Sequence, residues 1–141
     1  MVYDCSIFFL QVAFRLAAPF HRKARAWVLG RQDLFQTLEH QFSGNTQPVA
    51  WFHCASLGEF EQGRPVLEAF RREFPHYKIL LTFFSPSGYE QRRSYTEADV
   101  VSYLPADTPT NARRFVSLVK PNLVVWVKYE FWFHHLCELH E

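Results

Sequence analysis

The residues of this sequence best suited to chemistry are two polar side chains, Ser56 and Glu59, that directly follow an apolar run. Pro48 to Ala55 is apolar and β-prone, and the apolar residues after Leu57 recur at helical spacing, which predicts a strand leading into a helix. Ser56 and Glu59 fit a capping box at the helix start. The helix dipole favours the ionised form of a carboxylate there. Glu59 is therefore a candidate general base, although a helix cap alone would show the same spacing.

Other candidate residues follow the ends of predicted strands. Gly58 would let the backbone turn sharply and approach a ligand closely. A turn after the second strand carries hydroxyls and backbone N–H groups that could meet a sugar or a phosphate, or could form only a turn; its residues are Ser85, Ser87 and Gly88. Glu130, after the fourth strand, would orient substrate or hold a neighbouring charge. Lys128 would pair with Glu130 or with an acidic ligand, or would simply be solvated.

Apolar runs alternate with helical patterns along the second part of the chain. Strands are predicted at Val49–Ala55, Tyr77–Phe84, Asp99–Leu104 and Leu123–Val127. Helices are predicted at about Glu59–Glu73, near Tyr89–Tyr95, from the Thr108 cap and Pro109 to Val119, and from near Glu130 onward. Strands separated by helices of this length predict an α/β fold with a Rossmann-like parallel sheet.

The expected strand order fixes where the candidate residues meet. Parallel sheets bind ligands beyond the carboxyl ends of their strands, where the strand order reverses. If the order is 3-2-1-4, the first and fourth strands are neighbours. Glu59 and Glu130 would then approach one cleft.

Composition and spacing exclude several classes of function. The chain has 141 residues, enough for one domain, and a net charge of +1 that gives no reason to expect a nucleic-acid partner. Cys5, Cys54 and Cys137 form no CxxC pair, which argues against a disulfide framework or a zinc site, and Cys54 is expected to be buried. The histidines are not spaced as metal ligands: His134, His135 and His140. Neither a GxGxxG nor a P-loop motif is present, so we expect no metal and no cofactor.

The first part of the chain, residues 1–42, is predicted to be a helical segment at a membrane interface. Cys5 to Phe14 is mostly apolar, and its uncharged run stops at Arg15, short of the ~20 residues that span a bilayer. The basic residues follow the apolar run, so they would face anionic headgroups on the cytoplasmic side. The alternative is an amphipathic helix packed on the domain itself.

Four blocks of sequence resemble the amino-terminal half of the Kdo transferases, the 3-deoxy-D-manno-octulosonic acid transferases of lipopolysaccharide synthesis. The blocks are Trp51–Glu59 (WFHCASLGE), Leu80–Gly88 (LLTFFSPSG), Tyr103–Pro109 (YLPADTP) and Val125–Trp132 (VWVKYEFW). A hydrophobic segment followed by basic residues, upstream of the first block, is also similar to that family. The resemblance covers nearly the whole chain, and its first block is the most specific.

The resemblance implies a GT-B glycosyltransferase with two Rossmann-like domains, of which residues 48–141 would be the acceptor-binding one. It implies that Glu59 takes the proton from a hydroxyl of a lipid A precursor as that oxygen attacks the anomeric carbon of CMP-Kdo, releasing CMP. It also implies that the transfer takes place at the cytoplasmic face of the inner membrane. Because no second domain follows, we expect a fragment that holds the acceptor half and does not turn over alone.

The fourth block departs from the family pattern. Many members carry Glu-Thr-Glu-Leu-Trp-Pro there, and only Glu130 and Trp132 carry over. The role of the first glutamate is vacant or is taken by Lys128. Two alternatives stay open: a GT-B enzyme with another donor and acceptor, and a non-catalytic binding module associated with a membrane.

Overall fold

A computed structural model of the chain describes residues 2–128 and 130–140. These residues form seven helices and four strands. In chain order they are α1 (Val2–Ala17), α2 (Arg22–Leu29), α3 (Leu34–Phe42), β1 (Val49–Cys54), α4 (Leu57–Glu73), β2 (Lys78–Phe83), α5 (Pro86–Arg92), β3 (Val100–Tyr103), α6 (Pro109–Val119), β4 (Leu123–Val127) and α7 (Phe133–His140).

The four strands form one parallel sheet in the order β3-β2-β1-β4. This confirms the predicted α/β fold, and the order is the one under which Glu59 and Glu130 were expected to meet. At the carboxyl edge of the sheet Cys54 of β1 is paired with Phe83 of β2 and with Val127 of β4. The loops that leave β1 and β4 therefore start side by side, as the sequence suggested.

The two faces of the sheet bury separate hydrophobic cores. Because successive side chains of a strand point to opposite faces, Val49 and Trp51 of β1 pack on one side while Ala50, Phe52 and Cys54 pack on the other. Helices α3 and α6 cover the Trp51 face, and α4 covers the Phe52 face. Burying a large apolar side chain such as that of Phe52 stabilises the fold by about 1.5–3 kcal/mol. The prediction that Cys54 is buried is confirmed.

The strand predictions agree with the structure to within one residue at each end, and β4 matches fully. The predicted Thr108 cap is confirmed, because its Oγ1 accepts a hydrogen bond from the Asn111 N–H at 3.3 Å. The helix predicted near Tyr89–Tyr95 was placed too late and spans Pro86–Arg92 instead. Ser85 caps this helix and Pro86 opens it with a pre-set φ, where the sequence pattern indicated a turn that could also meet a sugar or a phosphate.

The last helix begins at Phe133 rather than near Glu130, because a remote carboxylate caps it there. Asp107 Oδ2 accepts from the His134 N–H at 3.1 Å, and Oδ1 accepts from the His135 N–H at 3.0 Å and from His135 Nδ1 at 2.5 Å. The Tyr3 hydroxyl also donates to Asp107. Negative charge stabilises a helix N-terminus, so Asp107 fixes the start of α7 and ties α1 to it.

The amino-terminal helices lie against the domain on one side and expose apolar side chains on the other. Phe14 of α1 stacks on Trp27 of α2, with ring centroids 4.4 Å apart. No helix among the described residues is both long and apolar enough to cross a membrane by itself. Taken together, α1 and α2 reach that length and composition, but the pair is bent by 118° at its break.

Candidate active site

Glu59 lies in the first turn of α4, directly beyond the carboxyl end of β1. Its side chain is partly exposed, so the carboxylate is accessible from outside the sheet. The hydrogen bond from Ser56 Oγ, together with the positive charge of Lys128, holds the pKa of the Glu59 carboxyl below its usual range. Glu59 is therefore an ionised carboxylate at neutral pH, which is the state that a general base needs before it accepts a proton.

The predicted capping box is only half present. Ser56 is the N-cap residue, but its hydroxyl accepts no bond from the backbone of α4 and donates to the Glu59 carboxylate instead. The returning half does exist, since backbone N–H groups of Ser56 and Glu59 also stabilise the Glu59 carboxylate. Ser56 thus orients the candidate base.

Because β4 pairs with β1, Lys128 at the end of β4 lies near Glu59, which follows the end of β1. Lys128 is exposed and follows β4 with a φ of +67°, in the left-handed region that non-glycine residues rarely adopt. Such a conformation costs about 1–3 kcal/mol, and residues that adopt it cluster at functional sites. Lys128 acts electrostatically on Glu59, and its pairing with Glu130 or with an acidic ligand stays a prediction.

Glu130 is held by two ring nitrogens. Its Oε2 lies 3.3 Å from His53 Nε2 and accepts from Trp132 Nε1 at 3.0 Å. Its side chain remains 31% exposed, whereas His53 is fully buried. Glu130 is therefore oriented by a buried histidine while part of its side chain stays exposed.

A hydrogen-bond chain inside the sheet fixes the tautomer of His53. Trp51 Nε1 donates to Thr82 Oγ1 at 2.7 Å, and Thr82 Oγ1 lies 2.9 Å from His53 Nδ1. Burial lowers the pKa of His53, outweighing the opposing effect of Glu130, so the ring is neutral at pH 7. A neutral ring that donates from Nε2 to a carboxylate must accept at Nδ1, which assigns the Thr82 hydroxyl proton to that bond.

The second-strand turn lies at the same edge of the sheet but serves α5 first. Ser85 Oγ accepts from the Ser87 N–H at 3.3 Å and lies 3.1 Å from Ser87 Oγ. The Ser85 N–H donates to Ala55 at 2.8 Å, which joins this turn to the end of β1. A Cβ on Gly88 would come within 2.1 Å of the Phe83 ring, so this glycine is required by packing.

The prediction that Gly58 provides a sharp backbone turn is wrong. Gly58 lies within the first turn of α4, its φ is not positive, and a Cβ there would meet only Ser56 Oγ, at 3.8 Å. The turn could therefore be made by other residues. Close approach of a ligand to Gly58 stays a prediction.

The sequence interpretation missed His53 and Asp107. Both stand in the quoted blocks, but His53 was interpreted as part of a buried strand, and nothing local marks Asp107 as the cap of a distant helix. The alternation of β1 could have found His53, since it shares a sheet face with Trp51.

The described residues contain no group of three side chains that could hold a metal ion. His135, one of the three histidines considered, is buried and bonded to Asp107. Burial raises the pKa of the Cys54 thiol to about 12, so Cys54 is not a nucleophile at neutral pH.

Known proteins that resemble this chain agree on one family. Residues 31–141 match the family described as 3-deoxy-D-manno-octulosonic-acid transferase (Kdo transferase). The 3-deoxy-D-manno-octulosonic acid transferase of Aquifex aeolicus is 38% identical over 89 residues, covering 62% of this chain and 24% of that protein. The transferase of the same name from Haemophilus influenzae is 31% identical over 83 residues, covering 58% and 19%.

A third transferase of that name, from Chlamydia trachomatis serovar D, is 29% identical over 139 residues, covering 92% of this chain and 31% of that protein. The chain thus spans between a fifth and a third of the length of these curated relatives. The family match extends over most of the chain and over the whole sheet with its carboxyl edge. The chain belongs to the 3-deoxy-D-manno-octulosonic-acid transferase family.

Proposed function

We propose that this chain is the acceptor side of a GT-B transferase that moves Kdo from CMP-Kdo to a lipid A precursor in lipopolysaccharide synthesis. Membership of the family supports the reaction class, and the parallel sheet supports the Rossmann-like half. The donor, CMP-Kdo, would be bound mainly by a second domain. The reaction would need no metal.

The observation that carries the proposal is the ionised, accessible Glu59 carboxylate at the carboxyl edge of the sheet. Glu59 takes the proton from an acceptor hydroxyl as that oxygen bonds to the anomeric carbon of the donor. The bond from that carbon to the phosphate oxygen breaks, and CMP leaves with the electron pair. The hydrogen bond from Ser56 orients the Glu59 carboxylate and favours its ionised form, which supports the role of Glu59 as the base.

The other residues of the edge would bind or position the acceptor. Glu130, oriented by His53 and Trp132, offers a fixed acceptor of hydrogen bonds to a sugar hydroxyl. Lys128 supplies positive charge beside Glu59, where the acceptor or the leaving phosphate would carry negative charge. Gly58, Ser85, Ser87 and Gly88 would form the wall of the acceptor site.

We also propose that α1 and α2 hold the chain at the cytoplasmic face of the inner membrane, where a lipid acceptor lies. Large apolar side chains of this region are exposed: Phe8, Phe9, Leu16, Phe20 and Leu29. Exposed basic residues adjoin them: Arg22, Lys23 and Arg25. This combination suits a surface that buries apolar groups among acyl chains and meets anionic headgroups with cations.

The test is Glu59→Gln in the protein that contains this chain, assayed with CMP-Kdo and a lipid A precursor. Glutamine keeps the size and the contact with Ser56 but cannot accept a proton. We expect CMP release and Kdo-lipid formation to fall by about 10²–10⁴-fold, the usual contribution of a general base. Glu73→Gln, at the exposed end of the same helix, is the matched control and should keep full activity.

Three results would change the proposal. Undiminished transfer by Glu59→Gln would remove Glu59 as the base. Absence of CMP-Kdo consumption by the unsubstituted protein, with transfer from another sugar nucleotide, would favour the alternative donor. Lipid binding without any transfer would favour the non-catalytic membrane-associated module.

A further inference from the structure

A cavity of about 420 Å³ lies where α1, the α2–α3 connection and the start of α6 come together. Its polar lining consists of two arginines and three amides: Gln11, Arg15, Arg31, Gln32 and Asn111. Aromatic and aliphatic side chains form the remaining wall, and no carboxylate is among the described residues that line it. The lining is therefore positively charged and has no negative counterpart.

Arg31 is the centre of this charge. Its guanidinium donates to three backbone carbonyls: Leu104 at 2.9 Å, Trp27 at 3.1 Å and Phe84 at 2.8 Å. It also stacks 4.0 Å above the Trp27 ring and 4.6 Å from the Tyr103 ring. Carbonyl dipoles and rings orient the cation, but they do not neutralise it.

Burial, rather than a charged partner, dominates the environment of Arg31. It lowers the pKa of the guanidinium to about 9, and no carboxylate among the described residues acts on it in the opposite direction. A guanidinium has five N–H donors, so two remain after the three carbonyl bonds. An anion in the cavity would restore the balance of charge and satisfy these donors.

Trp27 supplies a second, independent observation. The residue is only 4% exposed, and its indole N–H has no acceptor among the described residues. A buried donor without an acceptor costs free energy, so such groups call for an explanation. Trp27 lines the same cavity as Arg31, where a ligand oxygen would provide the acceptor.

We propose that this cavity binds a phosphate group. Arg31 and Arg15 would neutralise it, and the Trp27 indole N–H and the amides would donate to its oxygens. A phosphate monoester carries about −1.5 to −2 charges at pH 7 and three strong acceptor oxygens, which matches two arginines better than a single carboxylate would. The apolar wall leaves room for a carbon skeleton. The proposal does not depend on the transfer reaction or on Glu59.

The test follows the Trp27 indole N–H by NMR in ¹⁵N-labelled protein while inorganic phosphate replaces chloride at constant ionic strength. Trp27→Phe identifies the signal. We expect a saturable shift of this resonance and about tenfold weaker binding in Arg15→Gln, which removes an exposed cation from the rim. Arg93→Gln, an exposed arginine outside the cavity, should bind phosphate as the unsubstituted protein does.

A second arm uses a short-chain phosphatidic acid, with the matching phosphatidylcholine as reference, to identify the source of the phosphate. Tighter binding of the phosphatidic acid than of inorganic phosphate would indicate a lipid phosphate. Equal affinities would indicate a water-soluble phosphate compound. A Trp27 signal that does not move in either titration, or that moves equally in Arg15→Gln and the unsubstituted protein, would overturn the proposal.

Discussion

Two neighbours act on Glu59, and they act in different ways. Ser56 donates a hydrogen bond, which both orients the carboxylate and favours its ionised form. Lys128 contributes charge alone, from the end of the adjacent strand. A low pKa keeps Glu59 ionised over a wide pH range, but it also makes the carboxylate a weaker base. The proposed active site therefore relies on proton acceptance coupled to bond formation rather than on a strongly basic group.

Substitution of Lys128 tests this balance. In Lys128→Met the cation is lost, so the pKa of Glu59 should rise toward its usual value. The base form of Glu59 disappears as the pH falls through that pKa, so the acid limb of kcat/KM should move to higher pH. We expect a movement of up to about one pH unit, measured with CMP-Kdo and a lipid A precursor.

Lys120→Met is the matched control for this experiment. Lys120 is also an exposed lysine with a positive φ, +48°, but it precedes β4 and so lies at the opposite edge of the sheet. Any change caused by the backbone conformation alone would occur in both variants. An acid limb that stays in place in Lys128→Met, or moves as far in Lys120→Met, would contradict the role of Lys128.

At the residue scale, the partly exposed glutamates Glu59 and Glu130 were predicted from the sequence, but the buried His53 that supports Glu130 was not. Glu59 and Glu130 were predicted because each polar residue follows an apolar strand, and strand order alone brings the two loops together. His53 was missed because its function depends on partners from two other strands, Thr82 of β2 and Glu130 beyond β4. Such non-local bonds leave no spacing in the sequence.

At the level of elements, the starts of helices were predicted where the cap is local. Thr108 and Pro109 mark the start of α6 within adjacent residues. The start of α7 depends on Asp107, which is distant in sequence from the helix that it caps. Although burial alone would raise it, bonds from His135 and Tyr3 hold the pKa of Asp107 below its usual range. This carboxylate therefore joins α1 and α7 to the loop before α6 while it is charged.

Replacing Asp107 should loosen the contacts of both α1 and α7 with the loop before α6. Asp107→Asn removes a buried charge from His135 and from the first turn of α7, and we expect a loss of about 3 kcal/mol in the free energy of unfolding. Urea denaturation measures the loss. Amide hydrogen exchange should accelerate at His134 and His135.

Asp33→Asn, at an exposed position, is the control, and its free energy of unfolding should stay within about 0.5 kcal/mol of that of the unsubstituted protein. Unchanged exchange at both histidines would mean that α7 begins without help from Asp107.

At the scale of the whole molecule, residues 1–42 do not form one uniform segment. Leu34, Leu38 and Phe42 of α3 are part of the hydrophobic core on the Trp51 face of the sheet. A deletion of everything before Ser43 would remove this part of the core, and loss of membrane binding would then report unfolding. The exposed residues of α1 and of the loop to α2 offer a cleaner test, because they contribute apolar surface without core packing.

The interface proposal predicts that apolar surface and charge act together on this face. Phe8→Ser with Phe20→Ser removes two exposed rings, which are 61% and 92% accessible, and should weaken binding to anionic vesicles at least about tenfold. Raising the salt concentration should weaken the remaining binding further, because the basic residues of α2 act through screened charge. Co-sedimentation with vesicles of anionic and of zwitterionic lipid measures both effects.

The control, Val66→Ser with Phe74→Ser, removes exposed apolar groups from α4 and its C-cap instead, and should leave vesicle binding unchanged. If the two pairs weakened binding equally, the apolar face of α1 and α2 would have no special part in membrane attachment.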